Sequence, residues 1–182
     1  MMPEVDGFRV LEKMRSNPET RHVPVLVMSG KLLSMDDINR LDYANVTFQS
    51  KGLLTNEEAA ALLTEILQPG ETLSQPTSIL VKATIAYLHQ NYALSITRED
   101  IAEAVGVSSN YLSKIFHEEV RLSAWDYLNR LRIQKAKELL DNTTDTITSI
   151  ATQVGFDDSA YFSRVFKKYT AQSPRSYREQ RN

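Results

Sequence analysis

The spacing of apolar residues along the chain changes near residue 76. Before that point, helical and extended periods alternate. Residues 7–15 place Phe8, Val10, Leu11 and Met14 on one helical face, and residues 23–28 then run almost continuously apolar, as a buried strand does. A second cycle follows, with a short helix over residues 34–41, a strand over 45–48 and a helix over 56–67. In that last helix Asn56 is placed to cap, and Glu57 and Glu58 fall in the first turn. Helices alternating with apolar strands predict an α/β unit with a parallel sheet.

Two prolines, a glycine and several hydroxyl residues interrupt the periodicity over residues 68–78, which reads as a linker. Beyond it the period is 3.6 throughout, and the expectation is an all-α domain. Helices are predicted over residues 79–91, from Thr97 to Gly106, over 108–118, from Ser123 to about Leu140, over 146–154 and 157–169, and from Pro174 onward. Asp100, three residues after Thr97, gives a weaker relative of the Ser/Thr-x-x-Glu capping box.

This second half repeats itself. Ile101-Ala102-x-x-Val105-Gly106-Val107-Ser108 returns as Ile150-Ala151-x-x-Val154-Gly155-Phe156-Asp157, an offset of 49. Tyr111-Leu112-Ser113-Lys114-Ile115-Phe116 then matches Tyr161-Phe162-Ser163-Arg164-Val165-Phe166, and Ser123 and Tyr127 match Ser173 and Tyr177, at an offset of 50. Each copy, about residues 97–118 and 146–169, is a helix, a glycine turn and a second helix, the arrangement of a helix-turn-helix unit. Gly106 and Gly155 supply the left-handed backbone of the turn, and the apolar positions can build two small cores. The second helices keep polar faces: Ser109, Asn110, Ser113 and Lys114 in one, Ser159, Ser163, Arg164, Lys167 and Lys168 in the other. Such groups suit double-stranded DNA, because Arg and Lys donate to guanine or phosphate, Asn can read adenine, and Ser permits close approach. The long helix over about 124–141 would span about 27 Å at 1.5 Å per residue, enough to join two reading heads near the groove repeat of about 34 Å.

Composition narrows the picture further. The 182 residues carry a net charge of -2, which splits into -4 up to residue 76 and +2 after it, with +3 from Asp157 onward. Cysteine is absent, which removes disulfides and thiolate sites and fits a reducing compartment. No apolar run reaches the roughly 20 residues of a membrane span, and Met1-Met2-Pro3-Glu4 lacks the features of a secretion signal, so a cytoplasmic protein with no membrane partner is expected. HExxH and GxSxG motifs are missing, and Ser29-Gly30-Lys31 lacks the spacing of a phosphate-binding loop, so no enzyme and no cofactor are expected. His22, His89 and His117 have no metal-ligand spacing and are expected at surface or boundary positions. Trp125 is expected to pack in the core with Leu128 and Leu131.

On these motifs residues 79–182 resemble the DNA-binding domain of AraC/XylS-type transcription regulators, two helix-turn-helix units joined by a long helix. The second unit carries the more specific match: Ile150-Ala151-x-x-Val154-Gly155-Phe156-x-x-x-x-Tyr161-Phe162-Ser163-Arg164-x-Phe166-Lys167-Lys168, followed by Ser173-Pro174-x-x-Tyr177-Arg178. The family often has glycine where this chain has Arg121 and Ala171, which predicts strained or differently capped turns there. The resemblance implies a sequence-specific DNA-binding regulator of transcription, with RNA polymerase as a further partner.

Residues 1–67 resemble the carboxy-terminal part of a response-regulator receiver domain, a flavodoxin-like fold. Met2-Pro3-x-x-Asp6-Gly7 is similar to the loop after the phosphoacceptor, Ser29 to the hydroxyl residue, Phe48 to the switch aromatic and Lys51 to the phosphoryl-contacting lysine, 22 residues after Ser29. The phosphoacceptor would lie two residues before Met1, so phosphate acceptance by the receiver mechanism is not expected of this chain, which reads as a truncated product or a piece of a longer regulator. The fold class expected is therefore mixed: a partial α/β receiver-like fragment and then an all-α double helix-turn-helix domain. The resemblance implies the output end of a two-component response regulator or hybrid sensor. With only two of five receiver strands, the first half is expected to expose a sheet edge and apolar helix faces, and to pair as a homodimer through residues 34–67. The competing reading is a protein-interaction module in which the receiver remnant docks a partner.

Overall fold

Side-chain caps open most of the helices among the described residues. The computed structural model describes residues 6–29, 34–41, 46–50, 57, 58, 60, 61, 64 and 77–180, and helices predominate among them. Two units are distinguished, Met1–Ala86 and Tyr87–Asn182.

In the first unit, Asp6 accepts from the Phe8 amide and opens α1 (Gly7–Ser16). Strand β1 (Val25–Ser29) follows, then α2 (Met35–Arg40), then β2 (Val46–Ser50). Ser34 and Asp37 bond reciprocally at the start of α2, the Ser34 amide donating to the carboxylate and the Asp37 amide to the hydroxyl. The two strands pair in parallel, from Val25 opposite Val46 to Ser29 opposite Ser50. Arg40 fastens α2 to α1: its guanidinium donates to Glu12 at 3.0 and 3.1 Å and to Asp6 at 3.3 Å, and lies 4.4 Å from the Phe8 ring centre. Val10, Val23 and Met28 are exposed. Glu57, Glu58, Ala60, Ala61 and Thr64 are helical. Ser29 closes β1 half-buried, Phe48 lies in β2, and Lys51 and residues 68–76 of the expected linker lie outside the described residues.

Helix α3 (Ile79–Asn91) runs across the division between the units. The second unit continues with α4 (Arg98–Ala104), α5 (Ser109–Val120), the 19-residue α6 (Ala124–Asn142), α7 (Ile147–Gln153), α8 (Ser159–Thr170) and α9 (Pro174–Glu179). The repeat seen in sequence extends to the caps. Thr97 and Thr146 open α4 and α7, Ser108 and Asp158 open α5 and α8, and Ser123 and Ser173 open α6 and α9. Thr97 and Asp100 form a full capping box.

The turns repeat as well. Gly106 and Gly155 have φ of 73° and 85°, and the amides of Val107 and Phe156 reach back to the carbonyls of Ala102 and Ala151, a Schellman turn in each helix-turn-helix copy. The two glycines are nonetheless under different constraints. A Cβ on Gly106 meets nothing within 4 Å, whereas one on Gly155 would stand 2.5 Å from the Tyr92 carbonyl oxygen and 2.9 Å from Arg132 Nη2. Arg121 and Ala171, where the family favours glycine, end α5 and α8 in the left-handed conformation at φ of 61° and 64°.

Each helix-turn-helix copy is closed by a third helix. Phe116 meets Tyr127 of α6 edge-on at 5.7 Å, and Phe166 meets Tyr177 of α9 edge-on at 5.5 Å, the same contact 50 residues on. Around the second pair Ile133, Ala136, Leu140, Ile150, Ala151, Val154, Phe156, Phe162 and Val165 form a continuous core. In the first helix-turn-helix copy Ile101, Leu112 and Phe116 are buried, while Val105 and Ile115 are only partly so.

Two expectations about individual residues fail. His89 is 2% exposed rather than at the surface, with a ring nitrogen 2.9 Å from the Tyr127 hydroxyl. It sits on α3 facing the aromatic pair of the first head, a long-range placement that isolated histidine spacing does not reveal. Trp125 is half-buried rather than in the core, because α6 turns Tyr127, Leu128 and Leu131 inward instead.

Both glycine turns yield a test. Gly106→Ala is expected to cost about 1–2 kcal/mol, the left-handed backbone alone, while Gly155→Ala adds the clash and should cost more than about 3 kcal/mol. Equal losses in urea melts of the two variants would contradict this. Burial, with Lys135 adding to it, holds the His89 pKa down at about 4. The unfolded chain protonates this group at about 6.5, so stability is complete above that pH and declines as pH falls from about 6.5 towards 4, by up to about 3 kcal/mol. Denaturation of His89→Gln at pH 7 and 5 should show less of this decline than the parent chain.

Candidate nucleic-acid interface

Helices α5 and α8 each bury one apolar stripe and turn the opposite stripe outward. In α5 the buried stripe is Leu112, Phe116 and Val120; in α8 it is Phe162, Val165 and Phe166. Asn110, Ser113 and Lys114 are exposed on α5, and Arg164, Lys167 and Lys168 on α8. The four candidate serines do not all stay free. Ser109 and Ser159 are half-buried, and Ser163 is half-buried with its hydroxyl donating to the Ser159 carbonyl at 2.9 Å. The sequence pattern marks Ser163 as outward, but the helix backbone engages its hydroxyl one turn earlier.

The basic groups are held differently. Lys114 pairs loosely with Glu118 at 4.0 Å and Lys168 with Asp126 at 3.7 Å, both largely exposed pairs of small energetic weight. Arg164 lies over the Tyr161 ring at 5.8 Å. Lys167 and Lys168 stand in the last turn of α8, where they also complement the helix dipole.

A second set of contacts, centred on Asp126 and Tyr169, which the sequence pattern does not single out, holds α8 in place. Asp126 in the first turn of α6 accepts from the Ser123 hydroxyl at 2.8 Å and the Tyr169 hydroxyl at 2.9 Å. Burial works against the Asp126 charge, but those two bonds and the charges of Lys168 and Arg130 outweigh it and keep the carboxyl pKa low. Tyr169 is pushed well above the ordinary phenol value by burial and by its bond to Asp126. Lys168 and Arg130 lie 5.0 and 5.7 Å from the Tyr169 ring centre. Large exposed aromatics also repeat, Tyr111 on α5 and Tyr161 on α8, and Arg98 lies 5.9 Å from the Trp125 ring centre beside α5. Their repeat was legible at the offset of 50; their exposure was not.

Chemically the two faces offer hydrogen-bond donors and positive charge on rigid helices. Among the described residues no group of three or more His, Cys, Asp or Glu is placed to hold a metal, and no helix is long and apolar enough to cross a membrane.

Residues 101–180 match the family model described as a helix-turn-helix domain. The chain is 40% identical over 101 residues to the uncharacterized HTH-type transcriptional regulator YijO of Escherichia coli (strain K12), covering 56% of this chain and 36% of that protein. It is 34% identical over 122 residues to the Msm operon regulatory protein of Streptococcus mutans, covering 66% and 44%. The chain thus spans less than half the length of these curated relatives. Among solved structures it is similar to the C-terminal domain of AraT, a response regulator from Geobacillus stearothermophilus, with a TM-score of 0.56 and 38% identity over 58% of this chain and 88% of that one.

Tyr169→Phe removes one bond to a partly exposed carboxylate. It is expected to cost about 1 kcal/mol and to raise the Asp126 pKa, because a donor to its charged form is lost. An NMR titration of Asp126 in the variant that overlays the parent curve would rule out this tie between α6 and α8.

Proposed function

The carboxy-terminal half of the chain belongs to the AraC-type helix-turn-helix DNA-binding domains, and from that premise we propose that it is a sequence-specific regulator of transcription that reads double-stranded DNA with two heads. The observation that carries the reading is the duplication itself. Caps, glycine turns, aromatic closure and the outward polar faces of α5 and α8 all recur in both helix-turn-helix copies. In this reading Asn110, Ser113 and Lys114, with Ser109 beside them, face one major groove. Arg164, Lys167 and Lys168, with Ser159 and Ser163, face the next. Base edges fall to the shorter groups at the helix centre and phosphates to the longer cations.

We further propose that residues 1–67 are a receiver-like domain, 68–78 a linker and 79–182 the output domain of a response regulator or hybrid sensor of a two-component system. The parallel pairing of β1 with β2 and the position of Ser29 at the end of β1 support this, as does the likeness to a domain from a response regulator. Pairing of two copies through residues 34–67, contact with RNA polymerase and a cytoplasmic location complete the proposal.

Selection of the 182-residue chain on a random duplex library should recover two sites about one helical turn apart, with affinity falling on the order of 10²-fold between about 50 and about 200 mM salt for four phosphate contacts. Asn110→Ala should cost about 1–3 kcal/mol and relax preference at one base pair. Salt-insensitive binding without a recovered motif, in the chain and in residues 77–182 alone, would refute DNA reading and favour a module that docks a protein partner.

A further inference from the structure

Helix α6 contributes a buried side-chain amide left unsatisfied among the described residues. Asn129 is 5% exposed, and its Oδ1 is buried without a hydrogen-bond partner. An unsatisfied buried amide is costly, and native interiors rarely keep one without a reason. Asn129 lines a cleft of about 480 Å³ between α6 and α8, together with Tyr161, Arg164, Val165, Lys168 and Tyr169. The charged groups lining it are both cations. Arg164 makes no ion pair among the described residues and rests on Tyr161, and Lys168 reaches Asp126 only at 3.7 Å. The floor is rigid, because Tyr169 is tied to Asp126 at 2.9 Å.

We propose that this cleft is a phosphate-binding site, in which the Asn129 amide, the Arg164 guanidinium and the Lys168 ammonium converge on one phosphate group. Half a turn of the amide presents its NH2 in place of the oxygen, so Asn129 can donate to an anion, while Arg164 supplies a planar fork and Lys168 a point charge. The cleft borders the outward face of α8, so a backbone phosphate of bound DNA would reach it; a free phosphate compound carries the same chemistry. The DNA source rests on the reading proposed above, whereas the site itself does not.

The test follows the side-chain resonances of Asn129 and Arg164 in the full chain during separate titrations with inorganic phosphate and with the selected duplex. Asn129→Asp places negative charge in the cleft without changing its shape. It should weaken the phosphate response and duplex affinity tenfold or more, with the preferred sequence unchanged. Asn129→Leu should lose affinity similarly while its melting temperature holds or rises, an outcome a structural amide would not give. Loss of the phosphate response with duplex affinity intact supports the site and assigns it to a free phosphate compound. A phosphate response in a chain that binds no duplex also upholds the site, while the DNA reading fails. No response to phosphate or duplex, or responses in both variants equal to the parent's, would overturn the proposal.

Discussion

A single buried guanidinium organises the second unit. Arg132, at the middle of α6 and 4% exposed, donates to the carbonyls of Tyr92 at 2.8 Å and Leu94 at 2.7 Å and lies 5.3 Å from the Phe156 ring centre. It thereby joins the segment between α3 and α4 to the turn between α7 and α8, from a helix that already closes the first head through Tyr127. The bond from Ser95 to Asp157 at 2.8 Å bridges the same two segments independently. Gly155 must be glycine partly because this guanidinium occupies the space a Cβ would need. The spacing of the heads is therefore fixed by desolvated hydrogen bonds to backbone, which in a low-dielectric setting are strong when made and costly when broken.

Stability and the proposed recognition share the same helices but use opposite faces. The buried stripe of α8 packs Phe162 and Phe166 into a chain of aromatic edges that continues from Phe156 to Tyr177. That packing leaves the outward stripe with lighter contacts: Lys168 beside Asp126, Arg164 over Tyr161, and the Ser163 hydroxyl returned to the backbone. Arg121 and Ala171 show where the arrangement carries strain, since each holds a left-handed conformation without glycine. The two strained residues occupy equivalent places, directly after the two helices proposed to enter the grooves, so both heads retain a weak point at the same joint.

The duplicated parts of the fold were legible because they depend on local chemistry. Thr97, Ser108, Ser123 and their counterparts cap helices through contacts two or three residues away, and Gly106 and Gly155 mark turns by their own backbone freedom. The apolar spacing likewise foretold the buried faces of α5 and α8, but not the exposure of Val10 on α1 or of Val23 and Met28 in the stretch expected as a buried strand. What stayed hidden was the identity of distant partners. In sequence Arg132 looks like any cation on a long helix, and nothing near it announces the carbonyls some 40 positions earlier that it satisfies. His89 and Asn129 were missed for the same reason: burial of a polar side chain depends on which other element arrives above it. The candidate interface divides the same way, with Asn110, Lys114, Arg164 and Lys167 placed outward as their helical spacing requires, and Ser159 and Ser163 partly withdrawn.

The continuity of α6 has a consequence of its own. Its 19 residues run without interruption from the floor of one head to the core of the other. In an α-helix each added residue advances the axis by about 1.5 Å and turns it by about 100°. A one-residue insertion near its centre would therefore swing Arg132 or Tyr127 out of register and rotate one head against the other. Side chains along the outer surface can be exchanged freely, but the number of residues cannot drift. The helix acts as a gauge whose length and phase are set together, and under the proposed two-headed reading any variation in the distance it measures comes from the nucleic acid rather than from the protein.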